Sequence, residues 1–300
     1  MNFRTDLALE RKEIIKEAQP EGIRCQSFEK DRARVTKIEV VNQKGEQVLG
    51  KPIGKYITVE VPPFSREAQF QDGQLDAVAR ELTELLPKSG TVLVVGLGNT
   101  DITPDALGPK SIELVLATRH ISSEIAKSAG LGDLRPVACF VPGVLGRTGV
   151  ETGDSISGVV KMINPSAVIT IDALAARRMS RLGTTVQMAD TGVTPGSGVG
   201  NARTQINRNT LGVPVIAIGV PTVVDAGTLA YDLLSKNGEN IEEIDEQTVR
   251  QSFEPEGSQM MITPREIDLV VERAARLIAM AINRALQPHI SVEDILTLVS

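Results

Sequence analysis

Apolar residues recur along this chain at two periods, and the two interleave. From Asp6 to about Gln19, Leu7, Leu9, Ile14 and Ile15 stand among charges, which predicts a short, weakly amphipathic helix that demands no tight packing. Arg34–Val41 and Tyr56–Val61 alternate apolar with polar residues around the turn signals Gly45 and Gly50. That predicts a β-hairpin on the edge of a larger sheet. Leu75, Val78, Leu82, Leu85 and Leu86 then form a helical stripe leading into Val92–Val95, a run suited to a strand covered on both faces.

The rhythm continues with Ile112–Arg119 as helix, Pro136–Val141 as strand, Ser155–Ile163 as helix, and Ala167–Ile171 and Val213–Gly219 as strands. Such alternation predicts an α/β fold, a three-layer α/β/α sandwich on a mostly parallel sheet, with the hairpin as a small excursion. Residues 183–203 begin as a short strand and become a Gly-rich loop containing Asp190; residues 237–258 are a polar, acidic excursion. The last long helix opens on Thr263-Pro264-Arg265-Glu266, which has the form of a capping box with proline at the first helical position. Its stripe, Ile267, Val270, Val271, Ala274, Leu277, Ile278 and Ala281, is a packing face.

Composition narrows the function. With 300 residues and 41% apolar content, one large domain buries roughly three quarters of its unfolded surface. The net charge is -6, and the densest basic cluster is Arg177, Arg178 and Arg181, which argues against direct nucleic-acid binding. Cys25 and Cys139 form no ligand or disulfide motif, consistent with a reducing cytoplasm. The charged N-terminus lacks the apolar run of a signal peptide, and no segment approaches about twenty uninterrupted apolar residues, so neither export nor a membrane partner is expected.

Candidate chemistry gathers where strands end. After Val92–Val95, Gly96 and Gly98 turn the chain toward Asp101 and Asp105, and Ala167–Ile171 delivers Asp172 to a second strand end. Ligands bind beyond such ends in open parallel sheets, and paired acids there can share a proton and activate water. The same aspartates would equally serve as helix caps. Asp225 is a third candidate, ranked lower because Pro221-Thr222 predicts a place inside the next helix. The partial Gly96-Leu97-Gly98 motif has Asp101 where a nucleotide site needs its third glycine. His120 and His289 are the only histidines, unpaired at ligand spacing, and His120 suits the end of the helix Ile112–Arg119.

The blocks Thr5-Asp6-Leu7-Ala8, GLGNTDITPDALGP, FVPGVLGRTGVET, TIDALAAR, DTGVTPGSGVGN, GVPVIAIGVPTVVDA and MMITPREID together resemble the spore germination protease family. Those enzymes degrade small acid-soluble spore proteins in spore-forming Gram-positive bacteria. The resemblance implies an atypical aspartic endopeptidase without metal or other cofactor, its catalytic pair falling on Asp105 and Asp172. It implies a zymogen that cleaves itself between Asp6 and Leu7, hence a prosegment of residues 1–6 and a single catalytic domain over 7–300, with excursions at about 33–61 and 237–258. Its substrates would be spore proteins cut between an acidic and an apolar residue, its assembly a homotetramer, and its compartment the forespore or spore core. A more distant likeness is to hydrogenase maturation peptidases, which bind nickel through a histidine that residues 182–203 lack. A metal-dependent peptidase of that kind and a non-enzymatic binder on the same fold are the alternatives. In the preferred reading, amides of the Gly196–Gly200 loop, Gly196 and Gly198 among them, line the cleft and stabilise the oxyanion. Arg177 or Arg203 receives the substrate's acidic residue.

Overall fold

A computed structural model describes residues 5–15, 20–30, 33–66, 72–196, 203–230 and 260–299. The expected excursion at 237–258 therefore lies outside the described residues. At the centre, β4 (Val92–Gly96) is buried at every position, as its β-branched run requires. It pairs in parallel with β5 (Val137–Phe140) on one side and β6 (Ala167–Ala176) on the other. Beyond β6 lies β8 (Val215–Asp225), also parallel. The other half of the sheet is antiparallel: β7 (Thr185–Ala189), β3 (Gly54–Glu60), β2 (Ala33–Val40) and β1 (Ile23–Lys30). The order is β1-β2-β3-β7-β8-β6-β4-β5, with β9 (Met261–Ile262) on β8, so the sheet is mixed and its parallel part is the β8-β6-β4-β5 half.

The predicted hairpin is present as the β2–β3 pair, with Ile38 opposite Tyr56. It differs in two ways. The connection holds a helix, α2 (Gln43–Leu49), after α1 (Ala8–Ile14); Asn42 caps α2, and Gly50 ends it at φ 67°. And β3 is not an edge, because β7 extends from it. The edge is β1, mostly exposed and rich in charge, so no apolar alternation announces it.

Helices lie on both faces. On one, α3 (Asp72–Leu85), α4 (Leu107–Ile112) and α9 (Ile267–Leu286) share a core with Val92, Val94, Ile169, Ile171, Ile216 and Ile218. The whole predicted stripe of α9 packs there. On the other face, α7 (Thr152–Ile163) covers Leu93, Val95 and Val168, while α1 and α2 cover Ile38, Val40 and Tyr56. Between those two patches the second helical layer leaves a gap.

Two predicted helix features fail for local reasons. Instead of Ile112–Arg119, the helix is α4, which starts five residues earlier and ends at Ile112. Past it, Asn283 of α9 takes the Leu116 amide and the Leu114 carbonyl, and the Thr118 and Arg119 amides turn to Val137 O of β5. The capping box before α9 does not form, since Thr263 donates to Thr222 O and Glu266 makes no side-chain cap. Among the described residues, residues 226–230 are also helical, and further helices are α5 (Ser123–Ser128), α6 (Leu145–Thr148), α8 (Arg208–Leu211) and α10 (Val292–Val299).

Candidate active site

Past Gly96, the Leu97 amide bonds Ile171 O at 2.8 Å, continuing the contact between β4 and β6 by one residue. Gly98 then adopts φ +117°, and a Cβ there would stand 1.9 Å from the Asp105 carbonyl oxygen. Only glycine allows this approach. Gly108, in the first turn of α4, would meet Leu97 O at 2.2 Å and Ile171 O at 2.6 Å if it had a side chain. The turn Thr103–Asp105 is thereby seated on the ends of β4 and β6, and the Asn99 amide fixes it by donating to Asp105 Oδ2 at 2.8 Å.

Asp172 is not the last residue of its strand, because β6 continues to Ala176 along β8. Its position still opens, since the pairing with β4 stops at Ile171. Ile169 and Ile171 face the α9 core, so by strand alternation Asp172 faces the gap in the opposite layer. Both Asp105 and Asp172 line one cleft of about 1160 Å³ in that gap.

Burial raises the Asp105 carboxyl to about 6, against the opposing Asn99 amide. Asp172 is raised well above the ordinary carboxylate value, first by burial, then by the charges of Asp105 and Asp6; the Ala173 amide works the other way. Two carboxyls that resist joint ionisation can hold one proton between them, which supplies an acid and a base in one place.

The other predicted residues scatter. Asp101 is exposed and pairs with Arg147 at 2.9 Å. Asp225 ends β8 rather than sitting inside a helix, and it accepts from the Thr228 amide and hydroxyl, both at 2.8 Å, which is a capping role. Asp190 lines the cleft and accepts from the Lys55 amide. Arg203 and Gly196 line it as well, whereas Gly198 lies outside the described residues. Arg177 is not among the cleft-lining residues; its amide is bonded to Glu10. His120 and His289 are exposed, and among the described residues no group of three or more His, Cys, Asp or Glu is placed to hold a metal ion. Cys25 is exposed and Cys139 partly buried, both free.

The N-terminal segment departs furthest from expectation. Leu7 and Ala8 are fully buried, and Leu7 packs with Leu174, Ala176 and Val224. The Asp6 amide bonds Ala175 O at 2.9 Å and its carboxylate accepts from the Ala175 amide at 2.8 Å, so Asp6 lies along the far end of β6 and lines the cleft. Glu10, almost wholly buried, receives Thr5 Oγ1 and the amides of Arg177 and Arg178. Burial raises its carboxyl against those three bonds.

Two cleft residues, Lys51 and Gln187, and the buried Glu10 escape the sequence pattern. Lys51 lines the cleft, its amine held below the ordinary value by burial, against the charge of Asp6 and helped by that of Arg11. Glu10 reads as one more helix charge. Gln187 carries a signal, being a polar residue inside the apolar strand Thr185–Ala189, all of which is buried.

The germination protease family model matches residues 4–239. Germination protease of Caldanaerobacter subterraneus subsp. tengcongensis is 41% identical, over 98% of this chain and 97% of its own. That of Clostridium tetani is 42% identical, over 98% of both chains, and that of Priestia megaterium 35% identical, over 98% and 96%. Among solved structures, the NiFe hydrogenase maturation protease HycI from Thermococcus kodakarensis aligns with a TM-score of 0.36 and 17% identity, covering 67% of this chain and 98% of that one. That likeness is too slight to carry an argument.

Proposed function

The chain belongs to the germination protease family, a family of hydrolases, and from that premise we propose that it is an endopeptidase in which Asp105 and Asp172 activate water. Its substrates are small acid-soluble spore proteins, cut in the spore core during germination. The observation that carries the reading is that both carboxyls line one cleft and the charge of Asp105 helps raise Asp172. One carboxylate takes a proton from water as the oxygen attacks the scissile carbonyl. The protonated partner bonds the carbonyl oxygen, and a proton then passes to the departing amine as the C–N bond breaks.

The chain is made as a zymogen and removes residues 1–6 by cutting between Asp6 and Leu7, leaving residues 7–300 as the catalytic domain. Supporting this, Asp6 lies in the cleft with Asp172 and its charge acts on that carboxyl. Asp105→Asn and Asp172→Asn keep the side-chain shape and remove the ionisable group. Each is expected to slow cleavage of a spore protein, followed on gels, and release of Met1–Asp6, followed by mass spectrometry, by about 10²–10⁴-fold or more. A variant that still cuts at the parental rate removes its residue from the mechanism.

A further inference from the structure

We infer that Gln187 is a further catalytic residue, whose side-chain amide grips the peptide on both sides of the scissile bond and polarises its carbonyl. The assignment rests on the reading that Asp6–Leu7 is a bond this cleft cuts. Gln187 Nε2 donates to the Asp6 carbonyl oxygen at 2.9 Å, and its Oε1 accepts the Ala8 amide at 2.6 Å. The first of these partners is the oxygen that gains charge when water attacks. The second lies on the leaving side, one residue beyond the new amino terminus.

The sheet explains how one side chain reaches both. Gln187 of β7 is opposite Gly219 of β8, and Gly219 is opposite Asp172 of β6. Val186 and Met188 face the α9 core, so Gln187 faces the cleft as Asp172 does. Two strand spacings, roughly 10 Å, separate them, and the residue between has no side chain. A peptide crossing over Gly219 therefore meets a carboxyl from one side and an amide from the other. Any Cβ at Gly219 would fall 2.3 Å from Asp172 O and disturb that row.

The same register defines neighbouring subsites. The side chain before the cut, Asp6, is held by the Ala175 amide, with Lys51 also lining the cleft. The residue after it fills the apolar pocket of Leu174, Ala176 and Val224, and the next, Ala8, is fully enclosed and must be small.

In hydrolysis the water oxygen bonds to the Asp6 carbonyl carbon and the Asp6–Leu7 C–N bond breaks. The water proton taken by the aspartate pair passes to the Leu7 nitrogen. Gln187 exchanges no proton; its N–H strengthens its bond to the oxygen as charge develops there.

The test uses the full chain and a synthetic peptide with the sequence of residues 5–8 at its centre, comparing wild type, Gln187→Glu, Gln187→Met and Asp172→Asn by kcat and KM across pH, each confirmed folded by circular dichroism. Gln187→Glu keeps the acceptor for the following amide but loses the donor when ionised. Its kcat is expected to fall about 10²–10³-fold at neutral pH. The ratio of its kcat to that of wild type should recover as the pH is lowered and the neutral carboxyl donates again. Gln187→Met, isosteric and apolar, should lose kcat without recovery, and it serves alone if the Glu variant does not fold. Wild-type kcat in either folded variant, or equal and pH-independent losses in both, overturns the assignment and leaves the aspartate reading standing. Activity surviving in Asp172→Asn overturns that reading while the Gln187 result stands apart, and a wild-type chain that cuts neither the peptide nor itself overturns both.

Discussion

Asp105 and Asp172 line one cleft, and burial there opposes the ionisation of both. Their folded pKa values lie above those of the unfolded chain, so between about pH 4 and pH 6 the native state binds more protons and stability falls as the pH rises. The stabilisation is complete below the unfolded values and is lost through the folded ones, and Asp172 acts in the same direction as Asp105. Asp105→Asn should flatten this dependence by on the order of 2–3 kcal/mol, measured by urea unfolding at about pH 4 and about pH 7. The sequence made both residues legible, because each follows a buried apolar run. It also singled out Asp101, which pairs with Arg147, Asp225, which caps at Thr228, and Arg177, whose backbone amide bonds Glu10. Nothing in spacing separates a carboxylate that caps or pairs from one left facing a cleft.

At the scale of elements, periodicity located those whose burial is one-sided or complete, such as β4, β6, α3, α7 and α9. It missed β1, which is mostly exposed, and misplaced α4, where Asn283 competes for the backbone. The N-terminal segment shows why a weak amphipathic pattern misleads. Its packing runs through Leu7, Ala8 and a charged residue, Glu10, that is buried because three donors converge on it. Glu10→Ala leaves two amides and a hydroxyl without that acceptor and should cost about 1–3 kcal/mol in denaturant unfolding. Glu10→Gln retains an acceptor and removes a charge that burial opposes, so its loss should be smaller.

Across the whole molecule, the cleft exists because one face of the sheet is covered twice, by α7 on one side and by α1 and α2 on the other, with a gap between. The homotetramer that the resemblance implies is checked by light scattering after size exclusion, where the mass should be four times the 32.2 kDa of the chain. The amino-acid order alone determined the α/β rhythm, the core stripe of α9, the glycine turn and the two aspartates that follow buried apolar runs, since these depend on residues close together in the chain. Only the tertiary structure decided that the sheet is half antiparallel, that the segment at Asp6 lies along the far end of β6, and that a glutamine from β7 faces an aspartate from β6 across a glycine. Those are matters of which strands become neighbours, and strand pairing is set by contacts between distant segments that no local period records.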